Sequence, residues 1–168
     1  MHKGLTRMLM VWCGAASMLL PAVNAVAAQV DMFITVVGTK QGQFKGEAVR
    51  AGAPAGSIHL TSVVREAPVA TGKRQHSPIT ITKEVDSASP KFAQALVTNE
   101  TLKLVQIVFQ GTGAGAGKVA QKIDLTNARV TGIRKAGGTE TITLDYESIE
   151  VTWTDGGKTA MDDWSVPK

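Results

Sequence analysis

Few residues in this chain have side chains that could do chemistry, and the histidines are the clearest of them. The chain has three histidines and one cysteine in 168 residues. His59 and His76 have no second Cys or His near them at the spacing of a structural zinc site. We therefore expect no metal site and no bound cofactor. His59 lies in a predicted strand, on the sheet surface or as a satisfied core residue, and His76 lies in the basic loop 73–76, which is typical of a solvated loop.

Two other groups have the residue types of a catalytic site but not its arrangement. Ser57 stands two residues before His59, so a strand would place both on one face, but no G-x-S-x-G turn and no orienting third group accompany them. The adjacent carboxylates Asp162 and Asp163 would point to opposite sides of an extended segment. Asp163 with Trp164 is better explained as a latch for the C-terminal segment. We predict that the chain is not an enzyme and has no catalytic residues.

The glycine-rich segment 111–117 has some features of a phosphate-binding loop. A P-loop requires Gly-Lys followed by Ser or Thr, but Gly117-Lys118 is followed by Val119. A dinucleotide fingerprint fails as well, because Ala116 occupies the place of its last glycine. The segment is therefore predicted to be the tip of a hairpin. Tyr146 and Trp153 could stack on a ligand, but a place in the core or at a subunit seam is favoured.

These residues would be positioned mainly by short strands. Ile79, Ile81 and Lys83 alternate with Thr80, Thr82 and Glu84, which predicts a strand with one dry face. Glycine turns separate the other apolar runs, so the chain is predicted to be an all-β barrel or sandwich. The last two strands are expected at 139–146 and 148–154, with Trp153 facing inward. Earlier strands are expected at 32–37, 57–65, 102–109, 119–125 and 129–134. The long connection 38–56 is expected to be an irregular loop that is functional or mobile.

One helix is predicted after the strand that contains Lys83. Asp86, Ser87 and Ser89 can cap a helix N-terminus, and Pro90 suits the first helical position. A stripe at three- and four-residue spacing would then face the sheet. Its members are Phe92, Ala95, Leu96 and Asn99.

Residues 1–28 have the three parts of a secretory signal. Lys3 and Arg7 precede an apolar run over 8–20, and small residues end the segment at 25–28. The run is shorter than the ~20 residues that span a bilayer, so a signal is favoured over a membrane anchor. The lone Cys13 lacks the setting of a lipoprotein site. We expect residues 29–168 to form one exported domain, periplasmic or secreted, with little excess charge for binding nucleic acid.

Three stretches, 30–48, 72–98 and 123–164, together resemble the haemolysin-coregulated proteins, the tube subunits of the bacterial type VI secretion system. The resemblance covers nearly all of the chain after residue 29. It implies a small antiparallel β-barrel with one short α-helix, hexameric rings, and stacking of those rings into a hollow tube. Spike proteins and effector proteins are the further partners that it implies. Loop 73–76 also resembles a family motif, which implies an alternative role at a subunit or lumen contact.

Within that resemblance, the loop 38–56 would govern stacking of the rings. A signal-bearing relative would form them in the periplasm or outside the cell. A second hypothesis remains open from the residues alone. The chain could be a monomeric periplasmic or secreted β-barrel that binds a ligand against its glycine-rich and basic loops.

Overall fold

The computed structural model describes residues 30–48, 50, 52–65, 77–112 and 115–163. This part of the chain is mainly β, with a single α-helix between the fifth and sixth strands. The elements are β1 (Val30–Gly38), β2 (Gly42–Phe44), β3 (Ile58–Leu60), β4 (Ser62–Arg65), β5 (Ile79–Glu84), α1 (Ser89–Thr98), β6 (Thr101–Gly111), β7 (Val119–Thr126), β8 (Ala128–Ala136), β9 (Thr139–Asp145), β10 (Ser148–Trp153) and β11 (Lys158–Asp163).

The strand pairings form a closed antiparallel circuit, as in a small barrel. β1 pairs with β6 over nearly its whole length, and its other side pairs with β3. The chain passes from β3 into β4 through Thr61, and β4 pairs with β5. β5 pairs with β9, β9 with β8, and β8 returns to β6 at Thr101 and Leu102. The prediction of a small antiparallel barrel with one helix is confirmed.

Three strands extend the sheet beyond this circuit. β7 pairs with β6, β10 pairs with β7, and β11 pairs with β10. The tight turns from β7 to β8 and from β8 to β9 use residues with positive φ, Asn127 at +50° and Gly137 at +58°. Both turns lie where the sequence predicts them. The glycine-rich segment joins β6 to β7, as a hairpin tip should.

The core fills the space between the barrel strands and α1. Ile79, Ile81 and Lys83 are buried and alternate with more exposed neighbours, which confirms the predicted dry face of β5. The helix packs Phe92 and Ala95 inward, with Leu96 at the margin of the core. Phe92 meets Phe44 edge to face, with 5.1 Å between ring centroids. The predicted stripe is therefore confirmed, except that Asn99 is exposed and ends the helix at φ +48°.

The helix start differs from the prediction. The N-cap residue is Ala88, which has no side-chain oxygen, and the helix begins at Ser89, one residue before Pro90. Asp86 still satisfies a free N–H, because its Oδ1 accepts a hydrogen bond of 2.9 Å from the Ala88 amide. Of the three predicted capping residues, only Asp86 accepts a hydrogen bond from an amide at the helix start. Ser87 instead donates to the Lys45 carbonyl at 3.1 Å, and Ser89 is already the first helical residue.

Two predictions about strands are wrong. The segment 38–56 is not wholly irregular, because β2 forms within it and buries Phe44 against the helix. β10 is not the last strand, since β11 follows it in the segment that the sequence predicted to be a tail. Trp153 is 49% exposed and does not face the packed core. The leader 1–28, the basic loop 73–76 with His76, and Trp164 lie outside the described residues.

Candidate assembly surfaces

The outer border of β11 is one of two long strand edges that lack a strand partner in the described ranges. β11 pairs only with β10. The other edge is β8 after Arg129, which pairs only with β9 and carries the charged side chains of Arg134 and Lys135. Long uncovered edges invite pairing with another chain, and short edges are a common protection against it. Thr159, Ala160 and Met161 form an uncharged middle to this edge, and Met161 is 66% exposed. This arrangement suits contact with another protein.

An apolar groove lies beside the other end of the β10–β11 hairpin. It has a volume of about 170 Å³ and is lined by both hairpin tips at this end of the sheet. Trp153 pairs directly with Lys158 across β10 and β11 and with Gln121 on β7. The lining residues are Gly111, Gly115, Lys118, Val119, Ala120, Trp153 and Asp155. An exposed indole in a groove is typical of a protein interface, because aromatic residues are enriched in such contacts.

The helix is held on the barrel by a buried charge cluster. Lys83 Nζ donates hydrogen bonds to Glu140 Oε1 at 2.9 Å and to Asp86 Oδ1 at 2.7 Å. Ser89, the first helical residue, donates to the same Glu140 oxygen at 2.6 Å. Lys83 and Glu140 are opposite each other on β5 and β9, and both side chains are fully buried. The lysine that the sequence placed on a dry face therefore links the sheet to α1.

Glu140 stays ionised in this setting. Burial by itself raises the pKa of its carboxyl, but the hydrogen bonds from Lys83 and Ser89 and the positive charge of Lys83 outweigh burial. The net pKa of Glu140 lies below its usual value. Its second oxygen, Oε2, is 3.8 Å from Lys135 Nζ and has no hydrogen-bond partner among the described residues.

A second buried carboxylate fixes the turn that follows β1. Glu100 is 2% exposed, and its Oε1 accepts hydrogen bonds from the amides of Lys40 and Gln41 at 2.6 and 3.0 Å. Burial raises the pKa of Glu100, but the hydrogen bonds from Gln41 and Lys40 outweigh burial and hold the pKa below its usual value. A Cβ on Gly38 would lie 2.5 Å from Oε1, so this close approach requires glycine.

The described residues of the segment 45–57 are anchored at two places. Gly46 and Ala48 donate backbone hydrogen bonds to Gly56 and Ser57 at 3.2 and 3.4 Å. A Cβ on Gly52 would lie 2.5 Å from the Cα of Gly117, so the segment touches the glycine-rich turn after β6. Anchors at both places argue that this segment does not extend freely towards a neighbour.

The residues considered for catalysis are not assembled for it. His59 faces Asp31 at 3.7 Å and meets the ring of Phe33, so it belongs to the sheet surface. Ser57 Oγ is buried and, within the described ranges, has no hydrogen-bond partner, so His59 cannot act as its base. Asp162 and Asp163 lie opposite Ile149 and Ser148, which places them on opposite faces of β11 as predicted.

The two aromatic residues do not form a pair. Tyr146 is buried, and its hydroxyl donates a hydrogen bond of 2.8 Å to the Ser77 carbonyl, so Tyr146 belongs to the core. Trp153 lies at the opposite end of β10, about 23 Å along the chain at the rise of an extended strand. The described ranges contain no group of three or more potential metal ligands. They also contain no helix with the length and apolar character needed to cross a membrane.

Known proteins resemble this chain in both sequence and fold. The chain is 31% identical over 110 residues to the "Major exported protein" of Pseudomonas aeruginosa strain PAO1, a match over 58% of this chain and 64% of that protein. The matched part thus spans less than two thirds of this relative.

Two solved structures cover the chain more fully. A double mutant of the Hcp1 protein from E. coli EAEC 042 is 26% identical with a TM-score of 0.72, over 81% of this chain and 98% of that one. The secreted protein Hcp3 from Pseudomonas aeruginosa is 24% identical with a TM-score of 0.71, over 81% and 99%. The second likeness supports the fold alone.

A family model described as "Type VI secretion system effector, Hcp" matches residues 35–153, from within β1 to the end of β10. This range covers more than half of the chain and contains the barrel, the helix and most of the sheet extension. The resemblance seen in the sequence is thus confirmed, and the chain belongs to the Hcp family of the type VI secretion system.

Proposed function

We propose that this chain is a structural, non-enzymatic subunit that assembles with copies of itself into hexameric rings, which stack into a type VI secretion tube. Membership of the Hcp family supports the proposal, since the resemblance of this chain to that family implies that it is a tube subunit. One observation on the molecule carries it further. The sheet ends in β11, whose outer border at residues 158–161 has no strand partner in the described ranges and whose middle is uncharged.

An unpaired strand edge favours association of subunits, because its backbone N–H and C=O groups form hydrogen bonds with a strand of another chain. A ring requires a heterologous contact, in which one surface of each subunit meets a different surface of the next. The β11 border and the remainder of the barrel provide two such different surfaces. The function then depends on packing between copies and needs no reactive group, cofactor or metal.

The leader and the wider partners form the remaining part of the proposal. Residues 1–28 act as a signal that is removed on export, and residues 29–168 form the working domain, periplasmic or secreted and without a membrane anchor. Effector proteins inside the ring and spike proteins at the tube end are the further partners. The name "Major exported protein" of the bacterial relative is in keeping with export. Nucleic acid is not a partner in this proposal.

The first test is the mass of the processed protein. The full chain is produced in a bacterial host with an intact export pathway, and the product is purified with its N-terminus sequenced. Light scattering coupled to size exclusion should give six times the subunit mass, and negative-stain images should show rings. A new N-terminus at about residue 29 would support removal of the leader.

A pair of variants tests whether the β11 border is used. Met161→Lys places a charge in the middle of the exposed edge, where lysine is a natural block to strand pairing. Thr131→Lys places the same charge on β8, the other long edge, which pairs only with β9, and is the control that separates the two edges. We expect the first variant to be monomeric and the second to form rings. A wild-type protein that stays monomeric at high concentration would overturn the proposal and favour the monomeric binding module.

A further inference from the structure

The outward face of α1 has no charge, which is unusual for a helix on a protein surface. Lys91 is the only charged residue of its ten, and its Nζ turns back to donate to the carbonyls of Gln41 and Gln43 at 3.3 and 2.7 Å. Pro90, Ala93 and Val97 are exposed at helical spacing, and Val97 is 85% exposed. A second apolar stripe therefore points away from the core.

The last turn of this helix also lacks a favourable charge. A helix C-terminus carries a partial negative charge that nearby lysine or arginine stabilises. The last turn of α1 has no basic residue, and Val97 is the most exposed large apolar side chain of the described residues. A complementary partner would offer an apolar pocket with positive charge at its rim.

The Trp153 groove has these properties. Most of its lining is apolar, and Lys118 and Lys158 flank the indole, one in the lining and one directly across the strand pair. Asp155 also lines the groove, so the two lysines leave one positive charge in excess. Both lysines are exposed, and neither forms an ion pair within the described ranges. At about 170 Å³ the groove is smaller than typical small-molecule sites, which begin near 300 Å³. Its size suits a single side chain better than a free ligand.

We propose that the last turn of α1 docks into the Trp153 groove of a second copy, with Val97 against the indole and the two lysines near the helix carbonyl end. The helix and the groove are different surfaces of one chain, so the contact is heterologous and favours rings over two-fold dimers. The groove adjoins the β10–β11 hairpin, so this contact continues the interface proposed for the β11 border. The inference rests on the proposed self-assembly.

Charged substitutions at Ala93 test whether the helix face becomes buried. Ala93→Glu and Ala93→Arg both keep good helix formers at an exposed position, so the monomer should fold normally. Both charges should raise the concentration for half-assembly about a hundredfold or more, because burying either charge is unfavourable. Val97→Ala should raise it roughly tenfold by removing apolar contact. Thr131→Glu and Thr131→Arg are the matched controls and should assemble normally.

Site-directed cross-linking tests the partner surface directly. The processed protein has no cysteine once the leader that contains Cys13 is removed, so Val97→Cys and Val119→Cys each introduce one thiol. A short bis-maleimide should join the two variants when they are mixed. Val97→Cys mixed with Thr131→Cys should give no comparable product. Val119 lines the groove, whereas Thr131 lies on β8.

The outcomes separate this inference from the proposed function. Rings that survive both Ala93 substitutions, or the absence of a cross-link from Val97 to Val119 in assembled protein, would overturn the docking contact while leaving self-assembly intact. A wild-type protein that never assembles would overturn both proposals. Loss of rings by Ala93→Glu alone, with Ala93→Arg unaffected, would indicate an electrostatic effect at a distance and would also overturn the docking contact.

Discussion

The Lys83–Glu140 cluster buries charged side chains, whereas the β10–β11 hairpin exposes apolar ones. In the cluster, the charged side chains of Lys83 and Glu140 are fully buried and are paired within one chain. In the hairpin, Trp153 and Met161 are exposed, and the backbone edge of β11 has no described neighbour. The first region completes the monomer, and the second leaves a strand edge and apolar side chains exposed to contact with another molecule.

This difference teaches where the effects of substitutions should appear. A change in the cluster should alter the free energy of unfolding of each subunit. A change in the hairpin should leave that energy nearly constant and alter association instead. Four predictions test this separation, from the largest expected effect on stability to the smallest.

Glu140→Ala should destabilise the monomer by about 3–5 kcal/mol, because it leaves the buried ammonium of Lys83 without its main partner. Urea unfolding followed by circular dichroism measures the change. The double variant Lys83→Met with Glu140→Leu should recover most of the loss, since it removes both charges and fills the space. If Glu140→Ala changes the free energy of unfolding by less than about 1 kcal/mol, the cluster does not hold the helix as described.

Gly38→Ala should cost about 1–3 kcal/mol, because the added methyl would displace Glu100 from the amides that it binds. Gly138→Ala is the matched control. Its Cβ would meet no atom within 4 Å and its φ is not positive, so it should be neutral or slightly stabilising. Equal effects of the two substitutions would argue against the turn being fixed by Glu100.

The stability of the monomer should fall with acidification below the ordinary glutamate pKa of 4.5. Glu100 and Glu140 both have a lower pKa in the folded chain, so their stabilisation is present above that value. It is lost as the pH falls through each folded pKa. Unfolding free energies from pH 7 to pH 2.5 measure the slope. Glu100→Gln should flatten it, whereas a slope that is unchanged in this variant would show that Glu100 does not contribute.

Met161→Lys should change the free energy of unfolding of the monomer by no more than about 0.5 kcal/mol. Its side chain is 66% exposed, so the folded monomer gains little from it. The same variant should weaken or abolish rings in light scattering. A loss of monomer stability comparable to that of Glu140→Ala would remove the contrast between the two regions.

Sequence periodicity predicts the parts of this fold that depend on local burial. β5, the inward stripe of α1 and the turn at Asn127 follow from alternation, helical spacing and turn residues. β2 and β11 could not be predicted in the same way. β2 is three residues long and depends on β1 and the helix, and β11 is exposed, so it has no apolar alternation to reveal it.

The candidate surfaces were partly predictable. The sequence favours a place for Trp153 in the core or at a subunit seam and predicts that it faces inward, and only the structure shows it half exposed in a groove. The Lys83–Glu140 cluster was missed, although a lysine on the dry side of a strand was the signal for it. Such a residue requires a buried partner, and the partner lies 57 positions away on β9.

Thr61 connects β3, which pairs with β1, to β4, which pairs with β5. Before this residue the chain is a neighbour of β1, and after it the chain is a neighbour of β5, without a reversal of direction. Adding one amino acid here would leave β3 matched to β1 while turning Ser62–Arg65 over, so that Val63 would point outwards and Val64 inwards. The number of residues in the connection between β3 and β4, more than their identity, therefore determines whether the barrel can close.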